Sequence, residues 1–223
     1  MKRHILAFLF SGLVAGCVTD YTFAPVGSAS DPVTDIDGNV YQTVQIGSQV
    51  WMAENLRTTR FNDGTAIPVV VDGKTWAALT TPGYCWYRNS QVTYGAYYNW
   101  YAASSAKLAP AGWHVPSESE WDALVNALGG QSAAGGRMKE PGTEYWREPN
   151  RISGNSCGFR AYGGGDRSVN GEFLGEKEFG YWWSSTGRAG DGANGIFLCT
   201  DHTGAYPVGS FKPYGYNVRC VKD

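Results

Sequence analysis

Between Pro110 and Gly130 the chain reads P-A-G-W-H-V-P-S-E-S-E-W-D-A-L-V-N-A-L-G-G, and each part of that run constrains the next. Trp113, His114 and Val115 form an extended piece, because Pro116 biases the residue before it away from helix. Ser117 is placed as an N-cap, with Glu120 three residues on to complete a capping box. Glu118 and Glu120 sit at the positive end of the helix dipole. Trp121, Leu124, Val125 and Leu128 recur at helical spacing and make one apolar face. Gly129 and Gly130 end the helix. Start, face and stop agree on a strand, a turn and an amphipathic helix.

The rest of the chain does not repeat that pattern. Thirty glycines and ten prolines in 223 residues are too many for a helical protein and imply many turns. Charged residues make up 17% and hydrophobic ones 43%, a globular balance. The net charge is −2. No basic stripe of the kind a nucleic-acid partner requires is present.

The extreme N-terminus reads as a targeting segment. Lys2 and Arg3 are a basic start, Ile5 to Val14 an apolar stretch, and Val14-Ala15-Gly16-Cys17 a lipobox. The apolar run falls short of the about 20 residues needed to span a bilayer. The expectation is a lipoprotein signal peptide over residues 1–16 and a lipid on Cys17. Residues 17–33, rich in Thr, Ser, Ala, Pro and Gly, read as a flexible tether, and residues 34–223 as one domain. Four further cysteines, Cys85, Cys157, Cys199 and Cys220, form an even set. In an exported protein such a set reads as disulfides, with three connectivities open. Metal binding is not expected: there is no C-x-x-C pair, and only His114 and His202 lie outside the leader.

Along the domain, Asp37-Gly38-Asn39 signals a tight turn between extended runs. A calcium loop starting at Asp35 would need a Glu at its twelfth position, where Ile46 stands. Val40 to Val44 and Gln49 to Met52 are predicted strands. Ala53 to Thr59 permits a helical turn. Tyr84 to Tyr87 reads as an aromatic strand. Tyr97, Trp100 and Tyr101 permit a second helix. From Cys157 onward strands are predicted at Cys157–Tyr162, Phe173–Leu174, Gly180–Thr186, Gly195–Thr200 and Tyr216–Val221. Helices in the middle followed by antiparallel strands make the fold class α+β. No phosphate loop, nucleophile elbow or H-E-x-x-H motif occurs.

Seven blocks, W-M-A-E-N-L, Y-C-W-Y, Y-N-W-Y-A-A, P-A-G-W-H-V-P-S-E-S-E-W, G-F-R-A-Y-G-G-G, Y-W-W-S-S-T and V-R-C-V-K-D, stand in an order that resembles the Fibrobacter succinogenes major paralogous domain. That family occurs in exported and lipid-anchored bacterial proteins. The resemblance spans about Thr34 to Asp223. It implies a C-type-lectin-like fold, related also to the formylglycine-generating enzyme, with two helices, mostly antiparallel strands and many long loops. It carries no established activity. This chain has Ala109 where the family often has a cysteine, and Cys157 and Cys199 look like additions. The resemblance therefore implies the pairings Cys85–Cys220 and Cys157–Cys199.

Glu148-Pro149-Asn150 spells a motif of mannose-binding lectins, but the W-N-D block that completes their calcium site is missing. Two histidines are too few for a three-histidine iron centre. The expected function is a non-catalytic binding or adhesion module for glycan or protein, without a cofactor or metal. It is anchored in the cell envelope through Cys17, at the outer membrane on its periplasmic or surface face. The alternatives are a formylglycine-generating-enzyme-like oxidoreductase and a purely structural lipoprotein. Candidate ligand-binding residues lie on the polar loops of the C-terminal half: Trp146, Asp166, Arg167, Asp191, Asn194, His202 and Tyr214, with Asp201, Tyr206 and Phe211 beside them.

Overall fold

The computed structural model describes residues 26–90, 92–150 and 153–223. The leader, Cys17 and the first part of the tether lie outside them. The first half contains β1 (Gly27–Thr34), β2 (Val40–Ile46), β3 (Gln49–Met52), α1 (Gly73–Ala77), β4 (Tyr84–Cys85), β5 (Tyr97–Tyr98), α2 (Trp100–Ala103) and β6 (Trp113–His114). The second half contains α3 (Glu118–Ala127), α4 (Gln131–Met138), β7 (Asp166–Arg167), β8 (Phe173–Leu174), β9 (Phe179–Gly187), β10 (Gly192–Cys199), β11 (Ala205–Phe211) and β12 (Val221–Lys222). All strand pairs are antiparallel, so the fold is α+β. Among the described residues no helix is long and apolar enough to cross a membrane.

A five-stranded sheet runs β1-β2-β3-β12-β6, so the C-terminal strand lies inside a sheet built from the first half of the chain. A three-stranded sheet, β11-β10-β9, carries the C-terminal half. The tether ends earlier than expected, because Gly27 to Thr34 pairs with β2. An edge strand is held by backbone bonds and needs no apolar alternation, which hides it in a polar sequence. The turn that follows is set by Asp35. Its carboxylate accepts from the Asp37 and Asn39 amides, from Asn39 Nδ2 and, at 2.6 Å, from the Tyr41 hydroxyl.

Helix α3 starts as its sequence dictates. Glu120 N–H donates to Ser117 Oγ at 3.3 Å, and Ser117 N–H donates to Glu120 Oε2 at 2.7 Å. Trp121, Leu124, Val125 and Leu128 are buried. Two helices were expected, and four form among the described residues. Helix α4 is hidden in the sequence by Gly135 and Gly136 in its interior, poor helix formers. Packing requires the first, and a backbone bond ties the second to the β10–β11 turn. A Cβ on Gly135 would stand 2.1 Å from the Gly204 carbonyl oxygen, and Gly136 N–H donates to the Thr203 carbonyl at 2.8 Å. The stretch from Tyr97 to Tyr101 divides into β5 and the one-turn α2. Ala53–Thr59 is not helical, and of Cys157–Tyr162 only Ala161 makes a bridge.

The core forms three clusters. Trp182 and Trp183, neighbours on β9, enter different clusters, as strand alternation requires. The predicted disulfides do not form: Cys85, Cys157, Cys199 and Cys220 are buried free thiols. Cys85 packs with Trp76 and Tyr97, whereas Cys220 packs with Tyr98 and Trp183 in a separate cluster. Cys157 Sγ–H donates to the Arg137 carbonyl at 3.1 Å, while Cys199 ends β10.

Candidate functional site

The pairing of β9, β10 and β11 sets Tyr181, Phe197 and Tyr206 directly opposite one another. Residues opposed in an antiparallel sheet share a face, so their rings form a row. Phe197 lies 5.8 Å from Tyr206 and 5.9 Å from Tyr181 between ring centroids. Tyr181 stacks on Tyr216 at 4.9 Å with planes 16° apart, and Tyr214 follows at 5.6 Å. Tyr216 is buried, and the other four rings are half-buried. The Tyr216 hydroxyl is held by Ser210 Oγ at 2.6 Å.

The row ends in an open cavity of about 310 Å³ lined by Asp166, Leu174, Tyr181, Ser210, Tyr214 and Tyr216. Phe211 and Leu174 stand exposed at its rim. Asp166 is only 8% exposed, and among the described residues no group donates a hydrogen bond to its carboxylate. Burial pushes its pKa up to about 6. Burial likewise raises Tyr181 to about 12 and Tyr216 well above its usual value.

Asp166 is aimed by its neighbour. Arg167 is buried, with Nη1 donating to the Val70 carbonyl at 2.5 Å and Nη2 to that of Val71 at 2.8 Å. Its guanidinium lies 4.5 Å over the Trp76 ring. Arg167 therefore pins β7 to the α1 region, and alternation sends Asp166 to the opposite side, into the cavity.

The other hollows offer less. The cleft between α3 and the sheet, lined by Glu118, Trp121 and Ile196, holds about 10 Å³, room for one water at most. A polar hollow of about 170 Å³ contains Glu54, but its charge is answered by Arg57 at 3.6 Å and Arg160 at 3.7 Å. Beside Glu148-Pro149-Asn150 an open hollow of about 160 Å³ remains. There the Asn150 amide is committed to the Glu140 and Gly142 carbonyls.

Of the seven residues expected to bind ligand, the structure brings Asp166 and Tyr214 together. Trp146 is a core residue, fully buried, with its indole N–H on the Ala161 carbonyl at 2.9 Å. Arg167 is likewise interior. Asn194 is buried, donating to Glu118 Oε2 at 2.7 Å and accepting from Arg188. Asp191 and His202 are exposed, but they sit on turns at opposite ends of β10. Tyr181, Phe197, Tyr216, Leu174 and Ser210 were not anticipated. Strand alternation through Gly180–Thr186 carried the signal for Tyr181: it shares a face with Trp183 but lies nearer the open end.

The sequence profile described as Fibrobacter succinogenes major domain matches residues 44–222. The chain belongs to that family. The matched span includes β3 to β12, the whole aromatic row and the cavity, so the site lies within the family domain rather than on an appendage. Strand β1 precedes the span the profile covers. Comparison with curated proteins and with solved structures gives no match.

Proposed function

We propose that this member of the Fibrobacter succinogenes major domain family is a lipid-anchored envelope protein that binds a glycan without catalysis. The observation that carries the reading is the aromatic row Tyr206–Phe197–Tyr181–Tyr216–Tyr214 running into the Asp166 cavity. Sugar rings present apolar C–H faces that stack on aromatic rings, while their hydroxyls need a polar partner. Asp166, lacking a partner of its own, supplies an acceptor at the inner end of the row. The rings are pre-stacked on one another, so little side-chain freedom is lost on binding.

Two observations support the non-catalytic part. The Cys85 and Cys157 thiols are raised to about 11 by burial, and Cys220 still further, so the nucleophilic thiolate is scarce at neutral pH. Cys220 is fully buried in a core cluster that contains neither Cys199 nor the other two thiols, which argues against a reactive pair. In this reading the α+β fold is C-type-lectin-like, as the family resemblance implies. Anchoring is through Cys17 at the outer membrane, and Cys17→Ser should move the protein out of the membrane fraction.

The test is binding of the full chain, held in detergent, to a panel of soluble polysaccharides and extracellular matrix proteins. Tyr181→Ala and Tyr206→Ala are measured beside it, with melting temperature as control. Each lost ring should weaken glycan binding by about tenfold, which is about 1.4 kcal/mol. Binding confined to the matrix proteins would replace glycan by protein adhesion. Turnover of a peptidyl-cysteine or thiol substrate with no glycan bound would replace binding by the oxidoreductase reading.

A further inference from the structure

The turn from β10 to β11 carries chemistry that the glycan reading leaves unused. Cys199, Asp201 and His202 fall within four residues, and Cys199 Sγ, a carboxylate oxygen of Asp201 and a ring nitrogen of His202 all lie within 4.8 Å of one another. His202 Nε2 stands 3.8 Å from Asp201 Oδ1. A tetrahedral ion with bonds of about 2.0–2.3 Å spaces its ligand atoms about 3.3–3.8 Å apart. Asp201 and His202 are exposed, so rotation of their side chains can bring the three atoms to that spacing.

The backbone beneath is already fixed. Lys139 is fully buried, and its Nζ donates to the carbonyls of Cys199 at 3.0 Å, Thr200 at 3.2 Å and His202 at 2.9 Å. Thr200 N–H donates to the Glu178 carbonyl at 2.9 Å. Thr203 is tied to α4 twice, through its carbonyl to Gly136 N–H at 2.8 Å and through Oγ1 to the Ser132 carbonyl at 2.6 Å. A site built on a backbone held this way loses little freedom when an ion enters. The three protons of Lys139 are committed to the turn, so Lys139 holds the ligands and is not one of them.

We propose that Cys199, Asp201 and His202 bind one divalent transition-metal ion of the zinc type, with a fourth position open to solvent. The donor set chooses the ion. A thiolate and an imidazole suit zinc, cobalt, nickel or copper, whereas calcium and magnesium require oxygen shells. One thiolate and one carboxylate neutralise a divalent charge, which matters beside the Lys139 ammonium. On binding, the Cys199 sulfur exchanges its proton for the metal, and one proton passes to solvent for each ion taken up. Because Asp201 and His202 are exposed, an external group can complete the shell.

The experiment titrates the full chain in detergent with cobalt(II) and then zinc(II). One equivalent of cobalt should produce a near-ultraviolet thiolate-to-metal absorption band, which zinc abolishes by displacement. Cys199→Ser should remove the band. His202→Ala should weaken uptake by about 100-fold or more, exceeding the effect of losing an outer-shell partner. Its melting temperature without metal should be unchanged, since His202 is exposed and packs in no core cluster. No saturable uptake overturns the proposal. So does uptake without the band, or a band that survives in Cys199→Ser, which would put the ion at another thiol. Glycan binding is not part of the readout, so the two readings stand or fall separately.

Discussion

Arg219 donates from Nε at 3.0 Å and from Nη2 at 2.6 Å to the same oxygen, Asn55 Oδ1, 164 residues earlier in the chain. Trp182 Nε1–H reaches that oxygen too, at 2.8 Å. One amide thus joins the segment after β3, strand β9 and the approach to β12. Arg219 is fully buried over the Phe159 ring, at 4.2 Å, and burial lowers its pKa to about 9. Asn55→Ala would leave three buried donors without that acceptor. It should cost roughly 3 kcal/mol or more, because an unsatisfied buried charge is expensive. Denaturant midpoints at constant slope measure it, and a loss below about 1 kcal/mol would mean that other groups had replaced the acceptor.

Helix α3 should respond as a folding element. Trp121 is buried between the two sheets, 4.8 Å from Trp51, and donates to the Trp183 carbonyl at 3.2 Å. Trp121→Ala should cost about 3–5 kcal/mol. Ser117→Ala should cost about 1 kcal/mol through the lost cap. Thermal unfolding checks both. A fully stable Trp121→Ala protein that had lost ligand binding would contradict the structural assignment.

Asp166 should make stability depend on pH. Its folded pKa of about 6 lies above the unfolded value of 3.8, so ionisation is less favourable in the folded chain. Its stabilising contribution is complete below about pH 4 and declines as pH rises through about 6. Asp166→Asn should therefore raise stability at pH 8 by up to about 3 kcal/mol and change little at pH 4. Equal effects at both pH values would count against a buried, unpaired carboxylate.

His114 should work at higher pH. Partial burial lowers its pKa, but hydrogen bonds at 2.6 Å to Asp223 and at 2.7 Å to Glu120 outweigh that and raise it above 6.5. A raised histidine contributes stability that is full below pH 6.5 and is lost as pH rises through the folded pKa. His114→Gln should flatten the stability profile above about pH 6.5. Proton NMR titration of the imidazole gives the pKa directly, and a value below 6.5 would refute the prediction.

The four domain thiols should be free, and three of them protected. Without reductant, Cys85, Cys157 and Cys220 should resist alkylation in the folded protein and react on unfolding. Mass mapping of the labelled chain decides this, and a Cys85–Cys220 or Cys157–Cys199 cross-linked peptide would show the opposite.

Local rules were legible in the residues themselves. The α3 capping box, its apolar face, the Gly129-Gly130 stop and the Asp37-Gly38-Asn39 turn all depend on groups within a few positions of one another. The seven blocks that mark the family were equally readable. Strand β1 and helix α4 were not. The first is held by backbone pairing to β2, and the second contains Gly135, whose missing side chain leaves room for the β10–β11 turn.

What the sequence determined by itself was therefore the short-range part: caps, turns, alternation, and the division of Trp182 and Trp183 between two faces. Only the tertiary structure decided which polar and aromatic groups meet. Trp146, Arg167 and Asn194 look like loop residues in sequence, yet long-range packing buries them. The Tyr206–Phe197–Tyr181 row arises from strand register, and its continuation to Tyr216 and Tyr214 from the return of the chain toward β12. Register and chain return depend on contacts between residues far apart in sequence, and no local pattern encodes such a contact.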